Sequence, residues 1–158
     1  MYHPSNPLAE FIEIQNDGPE SIDLVNATFT HGIHYTFSLT VLSLGKSVVL
    51  VRNEEEFNDE YDAELTQEYE YSGALDNDGE RIRLQDSTGA TILDFEYKNS
   101  WHTISDGGGF SLVSTTTDSN LWGEKDGWRL STLLGGSRST TPVTLRLNCM
   151  MRVIILGS

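Results

Sequence analysis

Apolar and polar positions alternate in short runs along most of this chain, and almost nowhere do they follow a helical period. Phe11-Ile12-Glu13-Ile14-Gln15 places Ile12 and Ile14 on one face and Glu13 and Gln15 on the other, as a strand does. Asn16-Asp17-Gly18-Pro19 breaks it. Ile22-Asp23-Leu24, Thr28-Phe29-Thr30 and His34-Tyr35-Thr36-Phe37 are further strand candidates. Ser47-Val48-Val49-Leu50-Val51 is nearly all apolar, which predicts a strand buried in the centre of a sandwich, with Gly45-Lys46 turning the chain before it. The clearest hairpin runs from Arg81-Ile82-Arg83-Leu84-Gln85 through a turn at Asp86-Ser87-Thr88-Gly89 to a return strand at 90–97. Phe110-Ser111-Leu112-Val113 closes the series. Many short strands with frequent turns predict an all-β, antiparallel sandwich.

The one interruption is acidic. Residues 54–70 hold Glu54, Glu55, Glu56, Asp59, Glu60, Asp62, Glu64, Glu68 and Glu70 with no Lys or Arg. Such a run reads first as a solvated loop or short helix anchored by Phe57 and Tyr61 at i, i+4. Its sharper reading is a binding surface for a basic partner, centred on Glu54, Glu55, Glu56, Asp59 and Glu60.

Charge narrows the function classes. The 158 residues carry a net −14. The first 140 hold eight Lys and Arg against all 24 acids, a net of −16, while the last 18 hold only Arg146 and Arg152. A phosphate-tracking surface needs a basic stripe, so nucleic acid is an unfavourable partner. No apolar run approaches the about 18 residues of a spanning helix, and the opening residues have no signal-peptide pattern. The single cysteine, Cys149, excludes an intramolecular disulfide and a cysteine zinc cluster. The composition shift marks a boundary, dividing the chain into a domain over 1–137 and a tail over 138–158. That tail is either an added strand or a non-native extension. It contains the alternating Val143, Leu145 and Leu147 and the β-prone run Val153-Ile154-Ile155-Leu156.

Candidate chemistry is sparse. His31-Gly32-Ile33-His34 lacks a third ligand, so it reads as a turn. Asp76-Asn77-Asp78-Gly79-Glu80 opens like a calcium loop, with Asp76, Asp78 and Asp86 as candidate ligands. The twelfth position falls on Ser87 rather than an acid, and an ordinary Asx turn accounts for the same residues. No Gly-x-Ser-x-Gly elbow or phosphate loop is present, and no cofactor is expected. Trp101, Trp122 and Trp128 fall together in turn-rich sequence. Exposed, they suit sugar rings or a protein partner; buried, they plug the end of a sandwich.

Taken in order, these segments resemble the lamin tail domain, in its bacterial-type form. The resemblance rests on Met1-Tyr2-His3-Pro4, Glu10-Phe11-Ile12-Glu13-Ile14-Gln15-Asn16, Ile22-Asp23-Leu24, and Gly73-x-Leu75-x-Asn77-x-Gly79-Glu80-x-Ile82-x-Leu84. It continues through Asp106-Gly107-x-Gly109-x-Ser111-Leu112 and Trp128-Arg129-Leu130-Ser131 to Gly135-Gly136-Ser137. It implies an immunoglobulin-like sandwich acting as a non-enzymatic protein-interaction or surface-display module, within a larger extracellular or cell-surface protein. A carbohydrate-binding sandwich, with calcium as a structural ion, is the alternative. Relative to the family, the first strand is shortened, which implies an open sheet edge. Val143–Leu147 or Arg152–Leu156 is expected to fill that edge, within the chain or across a homodimer.

Overall fold

The computed structural model describes residues 6–65, 69–105, 108, 110–132 and 151–156, the last through their backbone pairing. The expected strands form two main sheets and a small third one. The larger contains β1 (Phe11–Asn16), β5 (Ser47–Val51), β8 (Leu112–Ser114), β9 (Trp128–Leu130) and β10 (Met151–Leu156), in the order β5-β1-β10-β8-β9. All its neighbours are antiparallel. Facing it is a sheet of β3 (Thr28–His31), β6 (Arg81–Gln85) and β7 (Thr91–Glu96), in the order β3-β6-β7. The pair β2 (Ile22–Asp23) and β4 (Val41–Leu42) stands apart as a third, two-stranded sheet.

Period-two patterning builds the core between the main sheets. Ile12, Ile14, Val48, Leu50 and Leu112 come from one, and Phe29, Ile82, Leu84, Leu93 and Phe95 from the other, all buried. Burying each such side chain contributes about 1.5–3 kcal/mol. On the outward face of β6, Arg81 makes a bidentate pair with Asp94 at 2.7 and 2.6 Å.

Every residue of β1 is buried, including Glu13 and Gln15. A second apolar cluster explains this: Phe11, Val51 and Val113 point to the outer face, where Phe57 of helix α1 (Glu54–Tyr61) covers them. The acidic run therefore begins as a helix. Asn53 caps it, accepting the Glu56 N–H at 2.9 Å, and three glutamates sit in its first turn, where the helix dipole favours them. Asp62 ends it in the left-handed conformation, with φ 49°.

The chain departs from the sequence pattern in two places. His34–Phe37 is not a strand; it contributes single bridges, His34 to Ser72 and Thr28 to Thr36. Two short strands, β4 and β9, appear beyond the expected ones. Arg152–Leu156 lies in β10, an interior strand hydrogen-bonded to β1 on one side and β8 on the other. The other expected filler, Val143–Leu147, and the proposed division at 137 lie outside the described residues.

Candidate binding surface at the β5 edge

Helix α1 positions the acidic side chains by docking its apolar face. Phe57 and Tyr61 meet the Phe11 ring edge-on, with centroids 4.8 and 5.3 Å away. This turns Glu54, Glu55 and Asp59 toward an open hollow of about 400 Å³, which Asn53, Asn58 and Glu70 also line. Glu70 Oε2 accepts the Glu54 N–H at 3.1 Å. Glu54 Oε2 is buried with no hydrogen-bond partner among the described residues. No Lys or Arg lines the hollow among the described residues.

Of the five acids expected to form a surface, three share this hollow. Glu56 turns away to accept from Asn6 Nδ2 at 2.6 Å, and Glu60 does not line it. Glu70 joins because the backbone at Glu70 bridges Val51 of β5 in parallel. Only its place in the acidic run hinted at this.

A second depression, a groove of about 290 Å³, adjoins the hollow along the free side of β5. Val41, Leu42, Ser47, Val49, Leu65 and Tyr69 line it, with Lys46 just before β5. The depressions are joined structurally: Asn58, in the hollow, holds the backbone of Leu65, in the groove, through both its N–H and its C=O. Val41 is 62% exposed, and Leu39 and Leu44 beside it in sequence are exposed too.

The calcium candidates do not converge. Asp76 Oδ1 accepts the Asp78 N–H at 2.9 Å in a tight Asx turn, and Asp78 Oδ1 accepts from Asn99. Asp86 lies at the other end of β6, roughly 13 Å of strand away. There its Oδ1 is occupied by Thr88 and Ala90. Gly79 makes the first turn possible: its φ is +112°, and a Cβ there would meet the Tyr97 carbonyl. Gly32 likewise has φ +85° against the Ile82 side chain, which explains the glycine between His31 and His34. No group of three or more metal-ligating side chains occurs among the described residues.

The tryptophans are not a platform. Trp101, Trp122 and Trp128 are all buried, and the Phe95 ring packs 5.0 Å from that of Trp128, tilted by 39°. The Trp122 N–H donates to the Thr116 carbonyl at 3.0 Å and the Trp128 N–H to the Trp122 carbonyl at 2.7 Å. Of the two readings of the tryptophans the structure has the buried one: turns at 116–127 fold back and supply acceptors for the Trp122 and Trp128 indoles.

Groups with displaced pKa values hold the framework. Burial pushes the Glu10 carboxyl up, opposed by the Leu75 N–H and the Tyr71 hydroxyl that donate to it. Burial also raises Glu80, whose Oε1 accepts the Asp76 N–H at 2.7 Å, and it raises Tyr71 and Tyr97. Among the described residues no helix is long and apolar enough to cross a membrane.

Comparison with curated proteins and with solved structures gave no match. The family model for the Lamin Tail Domain matches residues 1–99, which take in β1 to β7, α1 and both depressions, without distinguishing bacterial from other members. With that match over more than half its length and an all-β antiparallel sandwich to carry it, the chain belongs to the lamin tail domain family.

Proposed function

We infer that this domain is a non-catalytic protein-interaction module, displayed within a larger extracellular or cell-surface protein, that binds a basic segment of its partner. One observation carries the reading: the carboxylates of Glu54, Glu55, Asp59 and Glu70 line a single open hollow with no Lys or Arg among its described lining residues. The chemistry elsewhere supports it. Glu10, Glu80 and Tyr71 spend their polar atoms on loops of the framework, and the indoles suited to sugar rings are buried.

Calorimetric titration with a synthetic oligolysine peptide tests the reading. Binding is expected at low salt and should weaken steeply as salt rises. Glu54→Gln/Glu55→Gln/Asp59→Asn should lose most of the heat while keeping the parent's circular dichroism. Equal affinity in parent and triple variant would sink the reading.

A further inference from the structure

We propose that the groove beside the acidic hollow binds its partner as an added β-strand, pairing with the free edge of β5. This rests on the interaction-module reading and specifies how the partner is held. The occupant is an extended segment with alternating apolar residues and Lys or Arg at the end that lies over the hollow.

Hydrogen-bond parity identifies the free edge. Arg52 donates to the Glu10 carbonyl and Asn16 to the Lys46 carbonyl, both across the β1–β5 register. In an antiparallel pair, bonded residues alternate, so 46, 48, 50 and 52 face β1, and Ser47, Val49 and Val51 point their N–H and C=O away. The Val51 carbonyl is taken by the Tyr71 N–H at 2.9 Å, part of a short parallel bridge at Glu70. Among the described residues that bridge goes no further. Ser47 and Val49 continue the same edge into the groove, and β5 is the terminal strand of its sheet.

The edge carries little of the protection such strands normally have. Ser47–Val51 contains no proline or charge, and its pairing with β1 is free of bulges. Val41, which also lines the groove, is 62% exposed, so an incoming strand would cover apolar surface as well as pair its backbone. Charge selects the occupant. Glu54, Glu55, Asp59 and Glu70 lie past the groove at the C-terminal end of β5, and Lys46 precedes its N-terminal end. A second copy of this chain, at net −14, is the wrong partner for that field.

Fluorescence anisotropy on the full chain, with a labelled Arg-Lys-Val-Thr-Val-Thr-Val peptide as the probe, tests this. Val49→Pro deletes an outward-facing N–H, along with part of the Val49 contact with the outer apolar cluster, and is expected to weaken binding roughly tenfold or more. The same peptide N-methylated along its backbone should lose binding to the unaltered protein, which guards against misfolding of the variant. Glu54→Gln/Glu70→Gln should weaken binding severalfold and flatten its salt dependence. Equal binding by Val49→Pro or by the N-methylated peptide would overturn strand addition while leaving the acidic docking face standing. Loss with Val49→Pro but not with Glu54→Gln/Glu70→Gln would remove the basic end of the peptide, and the acidic reading with it. No binding of the probe, or a concentration-dependent dimer that Val49→Pro abolishes, would also overturn the proposal.

Discussion

Tyr71 donates its hydroxyl proton to Glu10 Oε1 across 2.9 Å, tying the strand-like segment that bridges β5 to the residue just before β1. The same oxygen accepts the Leu75 N–H at 2.9 Å, while Arg52 lies 3.7 Å from Oε2. One buried carboxylate oxygen thus holds two loops. Replacing Glu10 by Ala leaves a buried N–H and a buried hydroxyl unsatisfied, at a cost of about 1–3 kcal/mol. Glu10→Gln keeps an acceptor where Oε1 stands and should cost less. Urea denaturation reads the midpoints directly; an Ala variant as stable as the Gln variant would refute the role of that oxygen.

The same carboxyl sets a pH dependence. Burial raises its folded pKa above the unfolded value near 4.5. Stability from Glu10 is therefore full below that value and is lost as pH rises through the higher folded value. Asp94 acts oppositely: the hydrogen bond from Arg81 lowers its pKa from 3.8, so its contribution disappears as pH falls through the lower folded value. Both parent and Glu10→Gln contain Asp94, so their difference isolates Glu10. Between about pH 4 and pH 7 the melting temperature of Glu10→Gln should gain on the parent's. A difference that stays flat or moves the other way contradicts the assignment.

Turn glycines give a sharper contrast. Gly79 and Gly89 both have positive φ, +112° and +88°. A Cβ at Gly89 meets open space, whereas at Gly79 it runs into the backbone of Tyr97 and Lys98. Gly89→Ala should cost only the local strain, about 1 kcal/mol. Gly79→Ala should cost clearly more, because backbone rather than a flexible side chain must move. Comparable midpoints for the two variants would count against the close packing of the Asp76–Gly79 turn.

What the sequence showed of this fold depended on how local the cause was. β5 has the predicted limits, Ser47–Val51, because its apolar run and the turn before it are contiguous. The β6–β7 hairpin was legible for the same reason, through Ile82, Leu84 and the Asp86 turn. His34–Phe37 misled because its pattern reports packing, with Tyr35 edge-on to Phe37 at 4.9 Å, and its ladder is reduced to single bridges. β4 and β9 are too short to show a period. At the candidate site, Glu54, Glu55 and Asp59 were visible as a cluster. Glu70 joins them through a bridge to Val51, and the free edge at Val49 follows from strand order. Neither has a local signature. The tryptophans were ambiguous because burial depended on acceptors at Thr116 and Trp122 that composition does not reveal.

Strand order also makes the position of β10 testable. Ile154 is registered between Glu13 of β1 and Val113 of β8, so its backbone lies inside the sheet. Proline there removes a ladder donor and sets its ring against a neighbouring strand, which interior strands do not tolerate. Ile154→Pro should lower stability by at least about 2 kcal/mol, from the lost bond and the buried acceptor left behind. Val49→Pro, in the edge strand with its N–H outward, should cost far less. Denaturation midpoints for the two variants, measured side by side, check the order β5-β1-β10-β8-β9. If Ile154→Pro unfolds with the parent, β10 does not hold the centre of the sheet, and β1 and β8 must meet a different strand.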